Sequence, residues 1–260
     1  MKISIITPSF NQGKYIDQTI KSVLHQQGDF ELEYIVIDGG SDDNTLDIIE
    51  KHASRDNRLK WVSEPDNGQS EAINKGLRMA TGDIVTYLNS DDTYNENSLN
   101  KVINFFKKNK NIKWVFGKCR IINEDNQEIR KLITKYKNFF LKRYSYNKLL
   151  TENFISQPAV FWKRELLEEI GFINEEEHYC MDYEYWLRLG QKYKPGFINK
   201  YLSNFRYYSD SKSGGVDKKQ FQDELRLAKK YGENCSAAIF LHKINYFKII
   251  LIYKMLNIFE

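Results

Sequence analysis

The stretch Gly82-Asp83-Ile84-Val85-Thr86-Tyr87-Leu88-Asn89-Ser90-Asp91-Asp92-Thr93-Tyr94 decides how the rest of the chain reads. Ile84, Val85, Tyr87 and Leu88 form a β-rich apolar run, long enough for a strand buried on both faces. It stops at Asn89-Ser90-Asp91-Asp92, four short oxygen-bearing side chains in a row. In an open α/β sheet, ligands bind beyond the carboxyl ends of the strands. Adjacent carboxylates there repel unless they are solvated, protonated or shared with a cation. Hard divalent cations are commonly held by one or two carboxylates plus substrate phosphates, so the stretch suits a metal and phosphate site. The same residues also suit a plain turn into the next helix, and Asp92 is expected to be a secondary turn residue.

On either side of this stretch, strands alternate with helices. Residues 3–7 read as a buried strand ending at Pro8, and a helix follows with Ile16, Ile20 and Val23 on one face. Residues 32–38 and 59–63 read as two further strands, each followed by a helical pattern, the second over about 69–80. A helix with Leu99, Val102, Ile103 and Phe106 comes after the central strand, and residues 114–121 read as a fifth strand. Such alternation implies right-handed βαβ units and a mostly parallel sheet.

With 260 residues, 41% hydrophobic and 28% charged, the chain suits one large soluble α/β domain. Residues 1–112 carry 13 basic and 17 acidic side chains, a charge of −4; residues 113–260 carry 26 and 18, a charge of +8. The two halves are therefore expected to do different jobs. Cys119, Cys180 and Cys235 have no CxxC spacing, which predicts neither a disulfide framework nor a zinc site and fits a reduced cytosolic compartment. The start of the chain is too short and polar for a signal peptide, and no stretch reaches the roughly 18 apolar residues of a membrane span.

Past residue 125 the rhythm changes. Residues 129–151 hold seven basic side chains, five aromatics and no acid. This composition suits single-stranded nucleic acid, a membrane surface, or simply a partly buried helix. The acidic first half argues against broad phosphate binding, so no nucleic-acid partner is expected. Residues 157–162 read as a strand, 178–191 as a helix bearing Asp182, Trp186 and Leu189, and Gly214-Gly215 as a loop before further helices.

Asp38 ends the second strand as Asp91 ends the fourth, so both can overlook one crevice, Asp38 reaching a ribose or base or merely capping a helix. No GxGxxG follows the first strand, and Gly13-Lys14 is followed by Tyr15, which excludes a dinucleotide fingerprint and a P-loop. An EF-hand fails because Asp43 and Ile49 stand where Gly and Glu are required. His178, Cys180 and Asp182 read as a coincidental cluster, while Asp182, opening a helix, is either a cap or a catalytic carboxylate.

Four blocks then stand in order: Thr7-Pro8-Ser9-Phe10-Asn11; Ile37 and Asp38 followed by Gly-Gly-Ser-Asp-Asp-Asn-Thr45; Asp66-Asn-Gly-Gln-Ser-Glu-Ala72-Ile-Asn74-Lys-Gly76; and Leu88-Asn89-Ser90-Asp91-Asp92. Over about the first 120 residues this arrangement resembles glycosyltransferase family 2. The resemblance implies a GT-A fold and inverting transfer from a nucleotide-diphosphate sugar, a UDP-type donor, to a glycan or lipid-linked acceptor in surface polysaccharide synthesis. It implies Mn²⁺ or Mg²⁺ on Asp91. Pro8, Ser9, Asn11, Asp38, Gly68, Asn74, Asn89, Ser90 and Arg206 would serve the substrate, and Asp182 would be the catalytic base. Departures from the family pattern are Asn89 for Asp, Gly39 after Asp38, Met181 for Glu, and Tyr208 for His. Residues 1–215 would form the GT-A domain, with a nucleotide-sugar half at 1–120 and an acceptor half at 121–215; 216–260 would be a helical extension. A nucleotidyltransferase is the alternative within enzymes, but its Gly-rich basic loop after the first strand is replaced here by Pro8-Ser9-Phe10-Asn11-Gln12-Gly13.

Residues 239–259 are the most apolar part of the chain, with Phe240, Ile244, Phe247, Leu251, Met255 and Ile258 on one helical stripe. That stripe is expected to be covered by the enzyme's own body, by a second copy in a homodimer, or by the anionic inner face of the cytoplasmic membrane.

Overall fold

Successive side chains of a strand point to opposite faces, and here both faces are apolar. In the computed structural model, which describes residues 1–209, 211, 218–233 and 235–256, each central strand feeds two cores. From β1 (Lys2–Ser9), Ile3 and Ile5 face one layer and Ile6 the other. β2 (Glu31–Asp38) divides Tyr34 and Val36 from Ile35 and Ile37 in the same way. The first layer is closed by α1 (Ile16–Leu24), α2 (Thr45–Ala53) and, after β3 (Leu59–Ser63), the later α4 (Ser98–Lys108). The second is closed first by α3 (Gln69–Met79), whose Gly76 lets the helix approach β1: a Cβ there would stand 2.4 Å from Ile6.

The central strand is β4 (Ile84–Tyr87), and β3, β2, β1 and β4 lie side by side in parallel. Beyond them come β5 (Thr93–Tyr94), β6 (Trp114–Ile122), β7 (Glu128–Ile129), α5 (Lys131–Leu141), α6 (Tyr146–Thr151), β8 (Val160–Lys163), α7 (Leu166–Glu169), α8 (Met181–Lys192), β9 (Gly196–Arg206), α9 (Lys218–Tyr231) and α10 (Ser236–Leu256). The sheet order is β3-β2-β1-β4-β8-β6-β9-β5, with β7 beside β6. β8 runs antiparallel between β4 and β6, while β6 and β9 are parallel. The strand expected over 157–162 begins only at Val160; Gln157–Ala159 form a 3-10 turn, Pro158 having no N–H to give a ladder. The helix expected from residue 178 starts at Met181.

Segment 129–151 divides into α5 and α6, and its aromatics divide with it: Phe140, Tyr144 and Tyr146 pack on the core, while Tyr136 and Phe139 are exposed. α10 docks on α6 through its polar side, where His242 Nδ1 meets the Leu150 carbonyl at 2.8 Å and Asn245 donates to Thr151 O at 3.1 Å. Its apolar side faces out, with Phe240 63% and Phe247 69% exposed. Gly214-Gly215 and Ile258 lie outside the described residues, as does the side chain of Met255. Among the described residues no helix is long and apolar enough to cross a membrane.

Candidate active site

The chain leaves β1 for β2 on one side of the sheet and returns to β4 on the other, so a crevice opens at the carboxyl ends of these strands. Register places Ser9 beside Asp38 and Pro8 beside Ile37. Asp38 is fully buried and organises the loop after β2. It accepts from the Gly40 and Ser41 amides at 3.0 and 2.8 Å, and from the Ser41 and Ser63 hydroxyls at 2.5 and 2.9 Å. Asn11, in the left-handed region at φ 52°, crosses to that loop, donating its amide to Ser41 Oγ and accepting from the Asp42 amide. The Ser9 hydroxyl is buried without a hydrogen-bond partner among the described residues.

The turn after β4 is held from three sides. The Thr19 hydroxyl donates to the carbonyls of Ser90 and Asp92, both at 2.8 Å, and Gln69 donates to Asn89 Oδ1 at 2.8 Å. Arg206, fully buried at the end of β9, gives its amide to Asp92 Oδ1 at 2.8 Å and its Nε to the Asp91 carbonyl at 2.9 Å. Its remaining nitrogens go to Asn123 O, Glu124 O, Gln18 and Asn126. Arg206 thus clamps loops together, with its donors already used. Asp92, expected as a secondary turn residue, is fully buried, and burial, then the Asp91 charge, push its carboxyl well above the usual range. Asp91 is half-buried and its carboxyl is also raised by burial, an effect opposed by the Tyr208 hydroxyl 3.1 Å from its Oδ2. Burial and the Asp91 charge hold the Tyr208 phenol above its ordinary range, so it keeps its proton and donates.

Asp182 reaches the same edge from the second core. Trp186, one turn along α8, is buried between Trp114 of β6 and Trp162 of β8, with ring centroids 6.1 and 5.9 Å away. Ser70 at the start of α3 donates to Met181 Sδ at 2.8 Å, joining the two helix N-termini. Asp182 accepts from the Tyr183 amide at 2.7 Å, in the first turn where the helix dipole favours an anion. The Tyr87 phenol, at the end of β4, is pushed far up by burial and then by the charges of Asp182 and Asp92.

Asn74, like Arg206, makes its hydrogen bonds within the protein. Asn74 is on the buried face of α3 and spends its amide on Ile173 and Glu175, with Nδ2 2.9 Å from Ile173 O and Oδ1 3.0 Å from Ile173 N. Gly68, at φ +125°, opens α3 with nothing within 4 Å of where a Cβ would be. Sequence reasoning missed Glu224 of α9, which is buried with its carboxyl raised to about 8 by burial and then by the Asp182 charge. Its only sequence signal is its place on the face of α9 that carries Leu227 and Ala228 into the core.

The donor set suits a hard cation only in part. Asp91 offers a carboxylate; among the described residues the buried Oδ2 of Asp92 has no hydrogen-bond partner, and no cluster of three or more His, Cys, Asp or Glu that could hold a metal occurs. Such a site fits Mg²⁺ or Mn²⁺ when phosphate oxygens complete the shell.

The chain is 29% identical, over 91% of its length and 80% of the relative's, to a GalNAc(5)-diNAcBac-PP-undecaprenol beta-1,3-glucosyltransferase of Campylobacter jejuni. Among solved structures, S. aureus TarS 1-349 in complex with UDP-GlcNAc superposes with a TM-score of 0.69 at 21% identity, covering 89% of this chain and 66% of that one. A mannosyltransferase of Pyrobaculum calidifontis in complex with GDP-Man and Mn²⁺ gives 0.63 at 16% identity, covering 98% of this chain and 80% of that one. These likenesses establish the GT-A fold. Residues 4–171, from the first core strand through α7, match the family described as "Glycosyl transferase family 2", and over that span the chain belongs to it as a glycosyltransferase.

Proposed function

We propose that the protein is an inverting, divalent-cation-dependent transferase. It would move a sugar from a nucleotide diphosphate, UDP-type as in the TarS complex, to a hydroxyl of a glycan or lipid-linked acceptor in surface polysaccharide synthesis. The observation that carries this reading is the Ser70–Met181 contact at 2.8 Å, which sets the first turn of α8, bearing Asp182, against the N-terminus of α3. Acidic groups from the β4 turn and from α8 would thus flank one crevice. Ser9, Asn11 and Asp38 would line the nucleoside side of the crevice, and the open N-terminus at Gly68 would lie towards the phosphates. Asp91 would hold the cation with the donor's phosphates. When bound, that ion neutralises the diphosphate leaving group as a Lewis acid.

Asp182 would take the acceptor hydroxyl's proton as the acceptor oxygen bonds to the anomeric carbon and the bond to the diphosphate oxygen breaks. Beside it, burial and then the Asp182 charge raise the Glu224 carboxyl to about 8. With an α-linked donor, proton NMR of the product should show the β-anomer. An α-linked product would refute inversion.

The outward apolar side of α10, the exposed Leu132 and Phe139 of α5, and the basic side chains among them support a peripheral position on an anionic membrane. The Campylobacter relative, whose name specifies a PP-undecaprenol substrate, supports a lipid-linked acceptor. Replacing Phe240, Phe247 and Leu251 by Ser should release the protein from anionic liposomes and leave donor hydrolysis unchanged. If the unmodified protein fails to sediment with those liposomes at low salt and instead runs as a dimer, the exposed stripe is a subunit contact.

A further inference from the structure

Asp91 carries the proposed cation, and the Tyr208 side chain touches its carboxylate. Tyr208 lies two residues beyond β9, and its hydroxyl donates to Asp91 Oδ2 at 3.1 Å. The contact is built into the fold. Arg206 bolts the end of β9 to the Asp91 carbonyl and to the Asp92 carboxylate. The Tyr208 ring packs on Tyr15 with centroids 5.0 Å apart. Tyr15 is itself buried, donates to Glu124 at 2.6 Å, and carries the Arg206 guanidinium 4.9 Å over its ring. Three segments distant in sequence therefore fix where the phenol points.

We propose that Tyr208 is a positioning residue of the cation site, holding Asp91 by one oxygen so that the other is presented to Mg²⁺ or Mn²⁺, and keeping the site's donors all oxygen. The proposal rests on the assignment of the cation to Asp91. A carboxylate tethered through one oxygen loses rotamer freedom before the ion arrives, and outer partners of this kind typically change metal affinity 10–100-fold. The phenol also supplies no nitrogen, and an oxygen-only set suits hard cations, whereas an imidazole favours later transition metals.

The test is calorimetric titration of Mn²⁺ into the full chain with UDP present, corrected for Mn²⁺ binding to UDP alone. Tyr208→Phe keeps the ring on Tyr15 and removes only the hydroxyl. It should weaken Mn²⁺ roughly 10–100-fold, with an unchanged melting temperature in EDTA. Tyr208→His should raise the preference for Co²⁺ over Mg²⁺ about tenfold or more. Wild-type Mn²⁺ affinity in Tyr208→Phe overturns the proposal. Asp91→Asn separates the two claims: if it loses Mn²⁺ while Tyr208→Phe does not, only the role of Tyr208 falls. If Asp91→Asn also binds Mn²⁺ normally, the assignment of the cation to Asp91 falls with it.

Discussion

Asp182→Asn is expected to leave donor binding intact and to lower transfer by roughly 10²–10⁴-fold, the usual contribution of a positioned general base. The substitution isolates basicity. An Asn carbonyl oxygen can still accept from the Tyr183 amide, as Asp182 does at 2.7 Å, so the first turn of α8 keeps its local hydrogen bond. The helix is held by Trp186 between Trp114 and Trp162 and by Met181 against Ser70, none of which changes. The loss should therefore appear in kcat, with the thermal shift caused by UDP and Mn²⁺ unaltered. Wild-type turnover in this variant would mean that another group takes the proton.

Asp91→Asn should abolish transfer through the other half of the site. A neutral amide is a poorer ligand for a hard cation than a carboxylate. The fold is expected to survive, because Arg206 binds the Asp91 backbone carbonyl and takes Asp92, not Asp91, as its carboxylate partner. The readout is stability against ligand. A nucleotide at a hundred times its dissociation constant adds about 2.7 kcal/mol, and hundredfold weaker binding at that concentration cuts the gain to about 0.4 kcal/mol. Addition of EDTA to the unmodified protein should reproduce the variant's loss. Full activity in EDTA would remove the cation from the mechanism.

The first four strands were legible because parallel strands buried on both faces leave continuous apolar runs, as in residues 32–38, and because each run stops at turn-forming residues. Periodicity reports that a strand exists but not which strand lies beside it. The insertion of β8, antiparallel, between β4 and β6 was therefore not visible. Asp38 and Asp91 could be found as acids at strand ends, whereas the groups that control them come from far along the chain. Tyr208 is 117 positions from Asp91, and in sequence it registered only as a replaced histidine. Arg206 and Asn74 looked like ligand contacts by position, yet their polar atoms are turned to loop backbone. The stripe on 239–259 was visible, but a pattern of apolar residues demands a partner without saying which, and α10 docks by its other side.

The claim that a cation-bound donor and a base face each other across the β4 edge is tested most directly by a crystal structure with Mn²⁺ and a UDP-sugar, using anomalous scattering to locate the metal. A manganese peak bonded to one oxygen of Asp91 and to the diphosphate is expected. The anomeric carbon is expected between that diphosphate and Asp182. A bound nucleotide sugar with manganese away from Asp91, or with Asp182 on the leaving-group side of the anomeric carbon, would contradict it.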